Sequence, residues 1–416
     1  MVSVDLINRQ TKQIKDDTMK ANKIITQFID KITPEMHATR QKSFHDCVVS
    51  IMNGHAVCVT QIGRGIQSKA IEKHRIKRAD RLCSNANIFS ERFSIYQSIS
   101  GLLCHSNDYV IIHVDWSDLD NRLENYLLRA SVMLDGRSIT VYEEVHTVNT
   151  KEKRQTHNRF LEKLKCCLPS TVKPIIVTDA GFKCPWFQAV TRLGWDYVGR
   201  VRGIVTYQSS SDKYWRPVKG LYGQATSQPK GFLDVWLAKT NPTHTNLVLF
   251  KKKPKGRYLL TPSGRKATRK IDKSAARERE PWALVTSLTI KSTGAKRVVK
   301  IYQSRMQIEQ TFRDMKSSRY GLGLDKNQTR KTKRLTILIL LSTVASFLLT
   351  MIGLAAETLN LHRGFQANSI KNRRVISLHY LGKRIMTAGT VKLQWRQLKK
   401  TIVAVISQYS YHNLIG

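Results

Sequence analysis

From Leu335 to Ala356 the chain runs twenty-two residues without a formal charge. A helix that is apolar on every side must be enclosed by apolar matter. Two surroundings satisfy that demand. A hydrocarbon core of roughly 30 Å accepts a segment of this length, and so does the interior of a large protein. Thr336, Ser342, Thr343, Ser346, Thr350 and Gly353 interrupt the run, no second run of its kind occurs, and the remaining segments are polar and basic. The expectation is a buried helix with no membrane involved, and therefore a core large enough to wrap one. At 416 residues the chain has the length for two or more domains, because single cores stop growing well before that.

The charge balance names the partner class. Lys and Arg number 70 against 30 Asp and Glu, a formal charge of +40, far beyond what solubility requires. Such a chain suits a polyanion. The cations recur in many segments, not along one amphipathic helix, which favours nucleic acid over a membrane surface. Seven cysteines, with no Cys-x-x-Cys pair, argue against both a disulfide framework and a zinc site. The polar, charged start of the chain lacks the apolar stretch of a secretory signal, so the expected location is the cytoplasm, in a bacterium at the nucleoid.

Periodicity divides the chain. Residues 1–100 read as a helical DNA-binding region. Within them His55 to Ile62, a turn at Gly63 and Gly65, and Gln67 to Arg81 resemble a helix-turn-helix whose second helix carries Lys69, Lys73, Arg75 and Arg78. Cations of this kind hold phosphates beside a groove. Residues 101–203 change to strands: Tyr109 to Trp116, then Leu128 to Leu134 and Ile139 to Val145 around the turn dipeptide Asp135-Gly136. A helix (Lys151 to Leu168), a strand (Lys173 to Thr178), a short helix (Pro185 to Leu193) and a strand (Trp195 to Val201) follow. This order predicts an α/β fold with a mixed five-stranded sheet covered by helices. Residues 204–281, with Gly, Ser and Pro turns and basic runs at Lys251 to Lys255 and Arg265 to Lys273, read as a β-rich insertion. Residues 282–334 return to the core pattern, with a strand from Trp282 to Ile290 and a helix from Val298 to Lys316. Residues 335–416 read as a helical C-terminal region suited to dimerisation.

Two acids close predicted strands: Asp115 in His113-Val114-Asp115-Trp116-Ser117, and Asp179 in Thr178-Asp179-Ala180-Gly181-Phe182. A carboxylate at the end of a buried strand is costly unless paired or metal-bound. On the Val298 helix, Tyr302, Arg305, Glu309 and Lys316 are spaced by three, four and seven residues, which at about 100° per residue puts them within one narrow arc. Ile301, Ile308, Phe312 and Met315 form an apolar stripe beside them that seats the helix on a sheet. Three acids are a sensible minimum for two divalent ions about 4 Å apart, the arrangement that serves phosphodiester hydrolysis and transfer. Arg305 and Lys316 would bind phosphates, and the Tyr302 hydroxyl could hydrogen-bond one.

Tyr302-x-x-Arg305-x-x-x-Glu309-x-x-x-x-x-x-Lys316 resembles the YREK signature of bacterial insertion-sequence transposases of the "insertion sequence four" family, the group of the Tn-five and Tn-ten enzymes. The residues around Asp115 and Asp179 resemble that family's first two acidic motifs, in the same order. The resemblance implies an RNase H-like core interrupted by a β insertion, with catalytic Asp115, Asp179 and Glu309 holding two Mg2+ ions, for which Mn2+ can substitute. It further implies cutting at terminal inverted repeats, a DNA hairpin on the excised end, joining to target DNA, and a homodimer. Trp282 matches the residue that stacks on a flipped base in relatives; a core or interface Trp is the alternative role for it. Met306 departs from relatives that carry an aromatic there. Two rival readings keep part of this picture: an RNase H-like nuclease that does not transpose, and a DNA-binding regulator that has lost catalysis.

Overall fold

The structure, a computed structural model, describes residues 18–104, 109–253, 280–290, 294–367, 369–370, 372–388 and 392–394. The basic run at Arg265 to Lys273 lies outside them, as does the chain beyond residue 394. A short strand β1 (Thr18–Lys20) leads into helices α1 (Ala21–Ile32), α2 (Ala38–Met52), α3 (Val59–Gly65), α4 (Glu72–Cys83) and α5 (Ala86–Leu103). The segments read as a helix-turn-helix form α3 and α4, with bounds shifted from those predicted. Gly63 and Gly65 sit inside the first helix, not in the turn. Their role is close approach: a Cβ on Gly63 would stand 2.4 Å from the Ile76 Cα, and one on Gly65 2.2 Å from the Ser50 Oγ. Lys69 falls in the link before α4.

Next come strands β2 (Tyr109–Asp118), β3 (Asn125–Leu134) and β4 (Arg137–Thr147), then α6 (Arg154–Cys167), β5 (Lys173–Thr178), α7 (Cys184–Arg192) and β6 (Asp196–Val201). At the β3–β4 turn Asp135 and Gly136 both take positive φ, 31° and 77°, as a tight two-residue hairpin demands. Then follow β7 (Thr206–Ser209), β8 (Arg216–Pro217), β9 (Lys230–Leu237), β10 (Thr243–Phe250) and β11 (Trp282–Thr286). The sheet order is β4-β3-β2-β5-β6-β11-β10-β9-β7-β8, with β2, β5 and β6 mutually parallel and the other neighbours antiparallel. The five-stranded sheet is thus half of a ten-stranded one. Strand β6 would otherwise leave an edge of unpaired N–H and C=O groups, and β11 pairs with it, carrying the insertion strands into the same sheet.

The helix predicted from Val298 to Lys316 is two helices, α8 (Gly294–Ser304) and α9 (Met306–Lys316), broken at Arg305. There Arg305 N and Ile308 N reach back three residues, to the Tyr302 and Arg305 carbonyls, instead of four. The chain then enters α10 (Thr332–Thr358), α11 (Leu378–Ala388) and β12 (Lys392–Gln394), which pairs with β1. Every residue of α10 from Leu335 to Ala356 except Ser346 is buried. Its neighbours are α2, α4, α5, α11 and β4, so protein supplies the apolar surroundings on all sides.

Two glycines bring α10 and α11 into backbone contact. A Cβ on Gly382 would lie 1.8 Å from the Leu349 carbonyl oxygen, and one on Gly353 1.9 Å from that of Leu378. Gly382→Ala is predicted to lower stability by about 1–3 kcal/mol in a urea titration, the usual cost of overpacking. Gly101→Ala, in α5 with open space around it, is the matched control and should gain up to about 1 kcal/mol from helix propensity. Equal effects at the two positions would refute the close-packing account.

Candidate active site

Parallel pairing sets Val114 of β2 opposite Thr178 of β5, so Asp115 and Asp179 emerge side by side from adjacent strand ends. Strand alternation turns His113 and Asp115 to one face and Trp116 to the other. On the first face His113 is fully enclosed, and its Nε2 is 2.8 Å from the Ser304 Oγ at the α8–α9 break. Ser304 donates its own proton to the Ile301 carbonyl at 2.6 Å, so the imidazole Nε2–H is the donor to Ser304. Burial, with the Arg305 charge in addition, depresses the His113 pKa to about 3; the ring is neutral. This contact pins the break where Arg305 sits.

Arg305 spans two acids. Its Nη1 donates to Asp115 Oδ2 at 2.8 Å and its Nη2 to Glu309 Oε1 at 2.5 Å. Asp115 also accepts the Trp116 N–H at 2.9 Å, and Asp179 accepts the Gly181 N–H at 2.9 Å. Asp115, Asp179, Arg305, Glu309 and Lys316 all line one open cavity of about 610 Å³. Burial raises the Asp115 carboxyl to about 7; Arg305 opposes this, while Asp179 and Glu309 push the same way. The Arg305 guanidinium, although buried, is held more firmly protonated than usual by Asp115. Burial lowers the Lys316 pKa, against the pull of Asp118.

Arg305, Glu309 and Lys316 therefore share a cavity, as their spacing predicts, but Tyr302 does not. Its ring is buried in a second apolar cluster, edge-on to Trp282 at 5.0 Å and 73° and beneath the Arg305 guanidinium at 5.8 Å. The helix break redirects the face that an unbroken helix would have kept common. Trp282 is half-buried against Phe250 and Tyr302, and Met306 is exposed. Of the four helix-turn-helix cations, Lys69 and Lys73 stand in solvent, whereas the fold engages the other two. Arg75 donates to the carbonyls of Arg64 and Ile66, and Arg78 pairs with Asp46 and Ser43. Arg75 and Arg78 lie on the inner side of α4 with Ala79 and Leu82.

Sequence reasoning passed over the opposite face of β2. There the Trp116 Nε1–H points at His157 Nε2, 3.2 Å away on α6, and His157 stacks on Phe182, three residues past Asp179. One histidine thus props both acid-bearing strand ends. A helical His three residues before Phe160 was the available signal.

Among the described residues no three His, Cys, Asp or Glu side chains form a ready metal cage. The donor chemistry nonetheless suits a hard divalent cation: the carboxylates of Asp115, Asp179, Glu309 and Asp325 line one cavity, and among the described residues Arg305 is the cation paired with two of them. Adjacent parallel strand ends thus carry two acids, and the helix beside them carries a third. The family model for the transposase DDE domain matches residues 107–348, and the chain belongs to that family: it is a DDE-type transposase. A piggyBac transposase solved in a synaptic complex with hairpin DNA aligns with 94% of this chain and 83% of its own, at 11% identity and a TM-score of 0.42. No curated protein matches the sequence.

Proposed function

We propose that this transposase is a cut-and-paste enzyme of the insertion sequence four kind. In this reading it binds the terminal inverted repeats of its element, excises it through a hairpin intermediate and joins the ends to target DNA. The observation that carries the reading is the meeting of Asp115, Asp179 and Glu309, from three distant segments, at one cavity with the Arg305 and Lys316 charges beside them. Strands β4-β3-β2-β5-β6, with three of them parallel, support an RNase H-like layout for residues 101–203 and 282–334. Residues 204–281 are the insertion, residues 1–100 carry end recognition, and residues 335–416 contribute to a homodimer.

Asp115, Asp179 and Glu309 would hold Mg2+, with Mn2+ able to replace it; when bound, the metal supplies charge neutralisation at the scissile phosphate and activation of the attacking oxygen. The protein's own groups do the rest. Arg305, released from Asp115 and Glu309, becomes a fork for the phosphate, and Lys316 a point charge. Tyr302 supports Arg305 from below, and Trp282, at the edge of the same cluster, offers a stacking face to an extruded base. The cavity is open to solvent, as access by a DNA strand requires.

Incubated with Mg2+ and DNA carrying the sequences that flank its gene, the protein should release hairpin-ended excision products. Random nicking would point instead to a nuclease, and binding without cutting to a regulator. Metal affinity carries a second expectation. Because Asp115 must lose its proton to bind an ion, affinity for Mn2+ measured by calorimetry should rise from pH 6 to pH 8, through the carboxyl's pKa of about 7. The metal-free protein should show the opposite trend. A carboxyl whose folded pKa exceeds its ordinary 3.8 stabilises the fold below that value and loses this contribution as pH rises through about 7. A flat affinity across that range would remove Asp115 from the metal site.

A further inference from the structure

A second cavity plays no part in the chemistry above. About 270 Å³ in volume, it lies where α5, α6, the end of β4 and the first turn of α10 meet. Arg92, Arg159, Lys163 and Lys333 converge on it, with Glu144 the one carboxylate in its wall. Glu144 is already engaged by Lys163 and by the Tyr142 hydroxyl, so among the described residues three cations have no carboxylate partner.

Arg92 is the informative one. It is only 8% exposed, and among the described residues no carboxylate pairs with it. Its guanidinium lies over the Phe89 and Phe93 rings, at 4.0 and 4.4 Å, and donates to the Phe89 carbonyl. A buried cation so placed lacks a counter-charge. The start of α10 adds to the demand. This 27-residue helix begins at Thr332 with no side-chain cap from Lys331 and no acid in its first turn. Among the described residues no side chain caps its first N–H groups, and Thr332 and Lys333 of that turn line the cavity.

We propose that this cavity binds one phosphate group. Uncapped helix N–H groups, an Arg fork and Lys point charges are the donors that recognise a tetrahedral anion. His146, in the cavity wall, packs edge-on against Trp116 at 5.3 Å, and Trp116 adjoins Asp115. The cavity and the acids thus lie at one end of the sheet, on opposite faces of it, and the phosphate is assigned to the backbone of bound DNA, a choice of source that rests on the transposase reading. Inorganic phosphate has the same chemistry and is the second source to separate.

The test uses the full chain with Arg159→Gln and Lys333→Gln combined, both exposed positions whose loss leaves the core intact; unchanged circular dichroism and melting temperature verify this. Binding to end DNA is measured against salt, with Ca2+ in place of Mg2+ so that cutting is silent. Loss of one phosphate contact should flatten the slope of log K against log salt by about 0.9, and Arg159→Lys in the same background should restore part of it. In the other arm, inorganic phosphate at constant ionic strength is tested for thermal stabilisation of the wild type that the double variant lacks. A changed slope assigns the site to DNA; stabilisation with an unchanged slope assigns it to free phosphate. If neither readout differs between the proteins, the site does not exist. Wild-type cutting of end DNA is scored separately, so its presence alongside that result sinks this site alone.

Discussion

Glu309→Ala should lower strand cleavage of end DNA by about 10³-fold or more, the scale set by several kcal/mol of metal-derived stabilisation at tenfold per 1.36 kcal/mol. DNA binding should persist. Among the three acids this is the cleanest substitution, because the Glu309 side chain is 39% exposed and its removal leaves Arg305 still paired with Asp115. Asp115→Ala should cost as much activity but confounds two effects. It also deprives the enclosed Arg305 guanidinium of its more deeply buried partner, so a fall in melting temperature should accompany the lost cutting. Asp179→Ala should match Glu309→Ala in activity without that thermal signature, since Asp179 makes no ion pair among the described residues. Mn2+ binding measured in parallel should fall for all three. Cleavage retained by Glu309→Ala with Mg2+ would end the three-acid reading.

The second large effect concerns folding. Arg129 of β3 and Glu143 of β4 form a 2.7 Å ion pair with both side chains at most 2% exposed. Glu143 also accepts from the hydroxyls of Tyr96 on α5 and Thr343 on α10, and Arg129 reaches the Met315 sulfur on α9. The pair therefore ties the sheet to three helices. Glu143→Ala leaves the guanidinium buried without its partner and should destabilise the protein by about 3–5 kcal/mol. Replacing both residues with apolar ones of similar volume, as in Arg129→Met with Glu143→Leu, should recover most of that loss. If the double variant is no better than the single one in chemical denaturation, the burial penalty is not the cause.

Much of the sheet was legible in local pattern. Runs of strand length between turn residues located β2 through β6, and Asp135-Gly136 announced its hairpin. The apolar stripe of Ile308, Phe312 and Met315 seated α9 correctly, and the uncharged run from Leu335 was a buried helix. Where reading failed, a distant contact had overridden a local signal. Gly63 and Gly65 look like turn residues, but in the fold they admit the backbone of α4 and the Ser50 side chain. Val298 to Lys316 has unbroken helical periodicity, yet His113 grips Ser304 and the helix breaks at Arg305. Arg75 and Arg78 read as phosphate-holding cations, and in the fold they bond the Arg64 and Ile66 carbonyls, Ser43 and Asp46.

By itself the sequence determined which residues could share a strand, a helix face or an acidic motif, because those properties depend on spacing along one chain. It also determined the appetite for a polyanion, since net charge needs no coordinates. Only the tertiary structure decided that Arg305 lies between Asp115 and Glu309, that the insertion strands extend the central sheet, and that four cations converge beside the start of α10. Each of these joins residues tens to hundreds of positions apart. Their energies come from burial and pairing across the fold, and spacing along the chain carries no record of them.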